Sequence, residues 1–275
     1  MLLNPVSMPK FFSSRRTLLS DNDLRQAIEQ GDLTTLKKYF DDGGDPNTSI
    51  ITNDRADVGI PATRKKIFHL AAQTGNPEVI KVFLRKKSLS INAFNEEGKT
   101  AICCAAEKDH GNIIMLLSLH GADVNLSVPL VRAAGSGNYS AVQTLLNRGA
   151  DPKLESADLY SAMEAALLCP DFTASPSHND VVIALAQHLK DYRSFNSAGQ
   201  NILQVAISKG CSPQVVEALS KFVDINHQDA HGMSAAHLAV AYNNPAVLST
   251  LVSRGIDLRL PDSEGDTAAH IAIKN

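Results

Sequence analysis

The 275-residue sequence contains no tryptophan, and aromatic residues make up only 5% of it. A core of large rings is therefore not expected, whereas plentiful alanine and leucine favour thin helices that pack closely. Metal-ligand spacing is also missing, because the four cysteines follow no such pattern. We expect free thiols in a reducing compartment, which predicts a cytoplasmic protein with no metal site; the cysteines are Cys103, Cys104, Cys169 and Cys211.

Long apolar runs and a strong net charge are missing as well. No stretch approaches the roughly 20 apolar residues that span a bilayer, so no membrane insertion is predicted. The formal net charge of −3 provides no overall attraction to nucleic acid, and nucleic-acid binding is not predicted. Basic runs at 64–66 and 85–87 are typical of solvated surfaces and suggest only a secondary docking surface.

The first twenty residues differ in composition from the rest. They contain no acidic residue, and residues 14–19 are similar to a twin-arginine export signal. An acidic segment beginning at Asp21 stands where such a signal needs an apolar region, so export by this route is not predicted. We expect residues 1–20 to be a flexible leader.

A period of 33 residues runs through the remaining sequence. Four residue types recur at this spacing and keep the same order, which predicts an array of repeated units. The positions that show it are Gly199, Gly232, Gly265, Ala206, Ala239, Ala272, Asp224, Asp257, Asn92 and Asn125.

Each period contains the same features in the same order. An Asp or Asn is followed three residues later by Gly, then by a capping residue, an Ala-rich helix, an apolar helix and a Gly-Ala-Asp-like ending. Residues 262–270 show the beginning and residues 120–125 the end. This pattern resembles the ankyrin-repeat family, with its hairpin and Thr-Pro-Leu-His-like opening. The resemblance implies an all-α solenoid of stacked helix pairs with short β-hairpin fingers.

Physical chemistry explains which residue types stand at the main positions of each unit. The second helices carry apolar stripes, as in residues 79–84, that one helix pair cannot bury, so stability requires stacked neighbours. Side-chain oxygens that can cap the first helices are expected at Thr100, Asn201, Ser234 and Thr267. Glycines expected to end second helices in the left-handed conformation are Gly43, Gly121, Gly149 and Gly255.

We predict about eight units over residues 21–275. An insertion at 48–66 separates the first two units, and a second at 169–180 enlarges the loop within the fifth, where two prolines stop one helix and delay the next. One hairpin is missing near 126–129. The last unit is truncated at its end, and an array needs a polar cap, so we expect the native protein to continue past Asn275.

Candidate chemistry is sparse. His69, His237 and His270 share one position of the repeat, and the resemblance implies that they hydrogen-bond neighbouring hairpins. One histidine per unit is too widely spaced to chelate an ion. Cys169 and His178 have no orienting Asp or oxyanion donors at an interpretable spacing. We therefore predict no catalytic residue, no cofactor and no enzyme activity.

The resemblance implies partner binding on a concave surface made by hairpin tips and outward residues of the first helices, which the fold does not need. Tyr242 is predicted to form an amphipathic anchor with His231 and Met233. Asn125 resembles a site of asparaginyl hydroxylation, although closing the turn is its favoured role. The predicted partner-binding residues are Glu96, Glu97, Lys99, Glu107, Lys108, Ser136, Ser197, Gln200, Ser208, Lys209, His231, Met233 and Tyr242.

The leading hypothesis for function is a monomeric scaffold that binds another protein. The alternative is the substrate-recognition arm of a larger enzyme, or of a bacterial effector in the host cytoplasm, whose catalytic domain lies beyond residue 275. A self-associating structural module is a third candidate.

Overall fold

The computed structural model describes residues 19–52, 63–155, 161–169, 176–188 and 196–274. The predicted flexible leader lies outside these residues except for its last two positions. Within the described ranges the chain forms fifteen α-helices and two β-strands. They are α1 (Asp21–Gln30), α2 (Leu33–Asp41), β1 (Ser49–Thr52), β2 (Thr63–Lys66), α3 (Ile67–Thr74), α4 (Pro77–Leu84), α5 (Ala101–Ala106), α6 (Gly111–Leu119), α7 (Pro129–Gly135), α8 (Tyr139–Asn147), α9 (Ala162–Leu168), α10 (Pro176–His188), α11 (Ile202–Ser208), α12 (Pro213–Leu219), α13 (Ala235–Ala241), α14 (Pro245–Ser253) and α15 (Ala268–Lys274).

The helices form two layers. The odd-numbered helices, α1 to α15, each contact the next odd-numbered helix, and the even-numbered helices, α2 to α14, do the same. We call these the first-helix layer and the second-helix layer. Contacts between neighbouring units thus repeat along the chain, as in a solenoid. The structure confirms the predicted fold class of stacked helix pairs.

Two of the predicted caps, Thr100 and Asn201, and the four predicted glycines set helix ends. Thr100 Oγ1 accepts a hydrogen bond from the Cys103 N–H, and Asn201 forms a reciprocal capping box with Gln204. The four glycines after second helices have φ between 85° and 93°, where a side chain would be strained; they are Gly43, Gly121, Gly149 and Gly255.

Small and large side chains divide the core between them. Alanines fill the space between successive first helices, and branched side chains and rings lie between the two layers. At the N-terminal end, the Phe83 ring lies between those of Phe40 and Phe68, with centroid distances of 5.1 and 5.5 Å. The alanines that are completely buried in the first-helix layer include Ala71, Ala72, Ala105, Ala106, Ala133, Ala134 and Ala206.

The predicted insertion at 48–66 begins and ends in regular structure rather than in a loop. β1 and β2 pair antiparallel, with Ile50 opposite Lys65 and Ile51 opposite Arg64. Side chains alternate in burial along β1, and Ile50 is completely buried, which explains why this short polar segment forms a strand. Residues 53–62 lie outside the described residues.

The second predicted insertion, 169–180, is too long at its end. The second helix of this unit already begins at Pro176, so positions 176–180 of the predicted insertion are helical, whereas 170–175 lie outside the described residues. Proline is well tolerated in the first turn of a helix, where its missing N–H would have no partner. It therefore starts α10, although the sequence pattern predicted that it would delay this helix.

Candidate functional site

Finger turns precede several of the first helices, and one side chain organises each of them. In the third unit, Asn95 Oδ1 accepts hydrogen bonds from the N–H groups of Glu97 and Lys99. The Gly98 N–H donates to the Asn95 carbonyl, and the φ of 70° at this glycine explains the Gly three residues after the Asn or Asp. The same arrangement recurs at Asn196, Asp229 and Asp262.

Neighbouring fingers are hydrogen-bonded to each other. The Ala230 N–H donates to the Ala198 carbonyl at 3.0 Å, and the Ser263 N–H donates to the His231 carbonyl at 3.0 Å. These bonds hold the tips in a fixed row, so side chains at the tips are presented on a preorganised surface.

The fourth unit has no finger, in agreement with the missing hairpin near 126–129. Ser127 and Val128 there have φ values of 66° and 47°. A β-branched residue such as Val128 rarely adopts this conformation, which costs about 1–3 kcal/mol. The Ser127 hydroxyl donates to the Gly98 carbonyl at 2.9 Å, so this tight loop packs directly on the third finger.

Two of the three repeated histidines, His69 and His237, hydrogen-bond the neighbouring unit as predicted, whereas His270 Nδ1 bonds Thr267 of its own unit. His237 Nε2 lies 3.1 Å from the Asp266 carbonyl of the next finger, and Nδ1 of the same ring accepts from the Ser234 N–H. His69 Nε2 lies 2.9 Å from the Ala93 carbonyl. Because a carbonyl only accepts, Nε2 of His69 carries the proton and Nδ1 has a free lone pair.

His69 differs from the other two histidines at its second nitrogen. Its side chain is 3% exposed, and Nδ1 has no hydrogen-bond partner. In the seventh unit the Ser234 hydroxyl lies 2.8 Å from the equivalent nitrogen, but the residue three positions before His69 is Lys66, which provides no side-chain cap to α3. Burial lowers the pKa of His69, which keeps the ring neutral. Lys66 therefore lacks the side-chain oxygen that caps the first helix at the same position in the third and sixth units.

We expect the substitution Lys66→Thr to raise the free energy of unfolding by about 1 kcal/mol, because it supplies both an N-cap oxygen and a hydroxyl for His69 Nδ1. Chemical denaturation compared with Lys87→Thr, which removes an exposed lysine after α4, measures the effect. An equal or lower stability of Lys66→Thr relative to the wild type would contradict this explanation.

A charge network joins three of the predicted site residues. Lys99 Nζ lies 2.8 Å from the carboxylate of Glu97 and 2.9 Å from that of Glu107. The hydrogen bond from Lys99 lowers the pKa of Glu97. Arg132 Nη1 lies 3.2 Å from Glu107 and extends the network into the fourth unit. Sequence reasoning missed Arg132, although an arginine within the otherwise apolar start of α7 is a visible signal.

The predicted residues all lie in finger turns or at the C-terminal ends of first helices, and we call these positions together the finger face. Tyr242 is 56% exposed at the end of α13, and His231 is exposed at a finger tip. Met233 was expected to be exposed beside them, but it is half-buried and packs on the core because its carbonyl is bound by Gln204. The exposed members of the set are Glu96, Glu97, Lys108, Ser136, Ser197, His231 and Tyr242; the half-buried ones are Lys99, Glu107, Gln200, Ser208, Lys209 and Met233.

Comparison with protein families identifies the repeat. The model described as "Ankyrin repeats (3 copies)" matches residues 24–128, 68–156 and 203–275, which is most of the chain. The chain belongs to the ankyrin-repeat family. Ankyrin repeats are generally protein–protein interaction modules.

Curated ankyrin relatives match parts of the chain. Ankyrin repeat and SAM domain-containing protein 6 of Rattus norvegicus is 31% identical over 114 residues, covering 39% of this chain and 13% of the relative. BCL-6 corepressor-like protein 1 of Homo sapiens is 33% identical over 101 residues, covering 35% of this chain and 6% of the relative. A putative ankyrin repeat protein of Rickettsia bellii (strain RML369-C) is 33% identical over 104 residues, covering 33% of this chain and 62% of the relative. The chain thus matches only a small part of the mammalian relatives.

Asn125 and three of the cysteines, which could carry chemistry, have structural roles or are buried. Asn125 Oδ1 accepts from the Asp151 N–H at 2.9 Å and so links the third and fourth units; its hydroxylation stays a prediction. Burial raises the pKa of three thiols to about 12, which keeps them protonated; they belong to Cys103, Cys104 and Cys211. Across the described ranges, no group of acidic, histidine and cysteine side chains is arranged as a metal site, and no helix has the length and apolar character needed to cross a membrane.

Proposed function

We propose that this ankyrin array is a scaffold for a partner protein, which lies across the finger face. The observation that carries the proposal is that hydrogen-bonded fingers present exposed polar side chains, and that Tyr242 is exposed at the end of α13. Tyr242 supports it most, since an exposed tyrosine offers a large contact area and loses little conformational entropy on binding.

The charge network supports the same location. Lys99, Glu107 and Arg132 are oriented by one another beside the gap where the fourth finger is missing. Ordered charges of both signs favour a specific partner and disfavour others more than they add affinity. We propose that the network selects the partner and that Tyr242 supplies much of the binding energy.

Site-specific photo-crosslinking tests the proposal within one unit. A photoreactive residue at Lys108 lies on the finger face, whereas one at Leu119 lies at the end of α6 in the second-helix layer; both positions are exposed. The expected result is a discrete crosslinked partner from position 108 and none from position 119. Adducts formed only from position 119 would place the partner on the opposite layer and contradict the proposal.

A second candidate function is the recognition arm of a longer protein. It is supported by the small share of the mammalian relatives that the match covers, 13% and 6%. In both cases we propose a monomeric array acting in the cytoplasm, which is consistent with four free cysteines. Light scattering that shows a mass independent of concentration would support the monomer.

A further inference from the structure

The β1–β2 hairpin has one outer edge beside the finger face. The Ile67 N–H donates to the Thr48 carbonyl at 3.0 Å, so residues 48 and 67 form a hydrogen-bonded pair of the antiparallel ladder. Such pairs alternate, and the next one along is Ile50 with Lys65. The pair beyond Ile50 with Lys65 is Ile51 with Arg64; it is not hydrogen-bonded, so its backbone N–H and carbonyl groups point away from the partner strand.

The outer edge of β1 is already occupied, whereas that of β2 faces a cavity. The Ile51 N–H donates to Asp21 Oδ2 of α1 at 2.8 Å, as the outward direction requires. By the same geometry the Arg64 N–H and carbonyl point to the opposite edge. This edge borders a cavity of about 270 Å³ enclosed by β2, by α3 and by the third finger; its lining includes Arg64, Lys66, His69, Gln73, Asn95 and Glu96.

The size and charge of this cavity restrict what it can hold. Sites for drug-sized ligands usually occupy roughly 300–1,000 Å³, so this cavity suits one or two side chains of a larger chain instead. Arg64 and Lys66 make no ion pair with any described residue, whereas of the two glutamates in the lining Glu97 is already paired with Lys99 and only Glu96 opposes these cations. The unpaired cations therefore favour an acidic group.

Lys66 provides independent support. At this position other units of the array have a hydroxyl or amide that caps the helix, as Thr100 and Asn201 do. Here a lysine stands instead and leaves His69 Nδ1 without a partner. Local rules of stability are most often broken where a residue serves another purpose.

We propose that the outer edge of β2 accepts an extended acidic segment of the partner protein as a third strand, with its side chains entering this cavity. Main-chain hydrogen bonds to Arg64 would provide affinity, and Arg64 and Lys66 would select acidic side chains. The inference rests on the proposed function, because the edge adjoins the finger face. Charged residues on an edge strand also prevent unwanted pairing between chains, and the experiment separates this purpose from recognition.

The test uses the full chain and two synthetic peptides of about eight residues, a common strand length. One alternates valine with glutamate and the other valine with lysine. We expect the acidic peptide to bind and to slow amide hydrogen exchange at Arg64, and the basic peptide to bind at least tenfold more weakly. Failure of both peptides to slow exchange at Arg64, or equal binding of the two, would overturn the proposal.

Matched variants distinguish binding through the backbone N–H of Arg64 from binding through side-chain charge. Arg64→Pro removes the outward N–H without removing a β1–β2 bond, and Arg64→Thr removes the same charge but keeps the N–H. The proline variant should bind the acidic peptide at least tenfold more weakly than the threonine variant, and equal binding would exclude strand addition. Lys66→Glu should likewise weaken binding at least tenfold more than Lys87→Glu, which changes the net charge equally at a distant site. This second comparison decides the matter if Arg64→Pro fails to fold.

Failure of the β2-edge proposal can be distinguished from failure of the proposed scaffold function. Should the edge variants have no effect while crosslinks from position 108 persist, the β2 edge is excluded and the scaffold function stands.

Discussion

Substitution of Phe83 by alanine is expected to lower the free energy of unfolding by about 3–5 kcal/mol, the typical cost of removing a fully buried phenylalanine. Its ring lies between Phe40 of the first unit and Phe68 of its own, so the cavity would open at the junction of two units. Both neighbouring rings, Phe40 and Phe68, would lose their contact with Phe83 at once.

The loss should be local as well as large. Each unit of a solenoid contacts only its neighbours, so weakening one junction releases the units on its shorter side. Amide hydrogen exchange should therefore accelerate in α1 to α4 before it does so in α11 to α14. Leu119→Ala, at a side chain 62% exposed, is the control and should change stability by less than about 0.5 kcal/mol. A loss below 1 kcal/mol in Phe83→Ala would show that this cluster does not hold the first unit in place.

Replacement of Tyr242 by alanine should weaken partner binding by about 30-fold, which corresponds to the roughly 2 kcal/mol that marks an interface hot spot. Stability should be almost unchanged, because the side chain is 56% exposed and its backbone N–H, which caps α13, is retained. Calorimetric titration with the partner captured by the intact chain measures the affinity, and thermal unfolding measures the stability.

Tyr139 provides a matched control of the same residue type. It is 38% exposed at the start of α8, in the second-helix layer, where its hydroxyl accepts a hydrogen bond from Gln143 Nε2. Tyr139→Ala should leave the affinity within about twofold of the wild type. Equal losses from the two substitutions would show that tyrosine exposure alone, and not the finger face, determines binding.

Sequence reasoning reaches the fold because the determinants of each unit are local. The Asn95-to-Gly98 turn, the Thr100 cap and the glycine at 121 act within a few residues, and their spacing can be read directly. Sequence reasoning predicted the exposure of individual side chains on the finger face less well. Met233 is half-buried because its finger is bound to Gln204, a contact 29 residues away that no local pattern encodes.

The features that the sequence did not predict depend on pairing across insertions. β1 and β2 are separated by ten residues in sequence, and burial of Ile50 sets the register of their pairing. The cavity beside β2 exists only once this hairpin packs next to the third finger. The one available signal was Lys66, at a position where the third and sixth units have a capping oxygen.

Hydrogen exchange of the full chain with and without its captured partner tests the central claim most directly. The finger turns at 95–99, 196–200 and 229–233 should exchange more slowly in the complex, while the exposed ends of α6, α8 and α14 should be unchanged. Protection confined to the second-helix layer would contradict the assignment of the finger face as the binding surface.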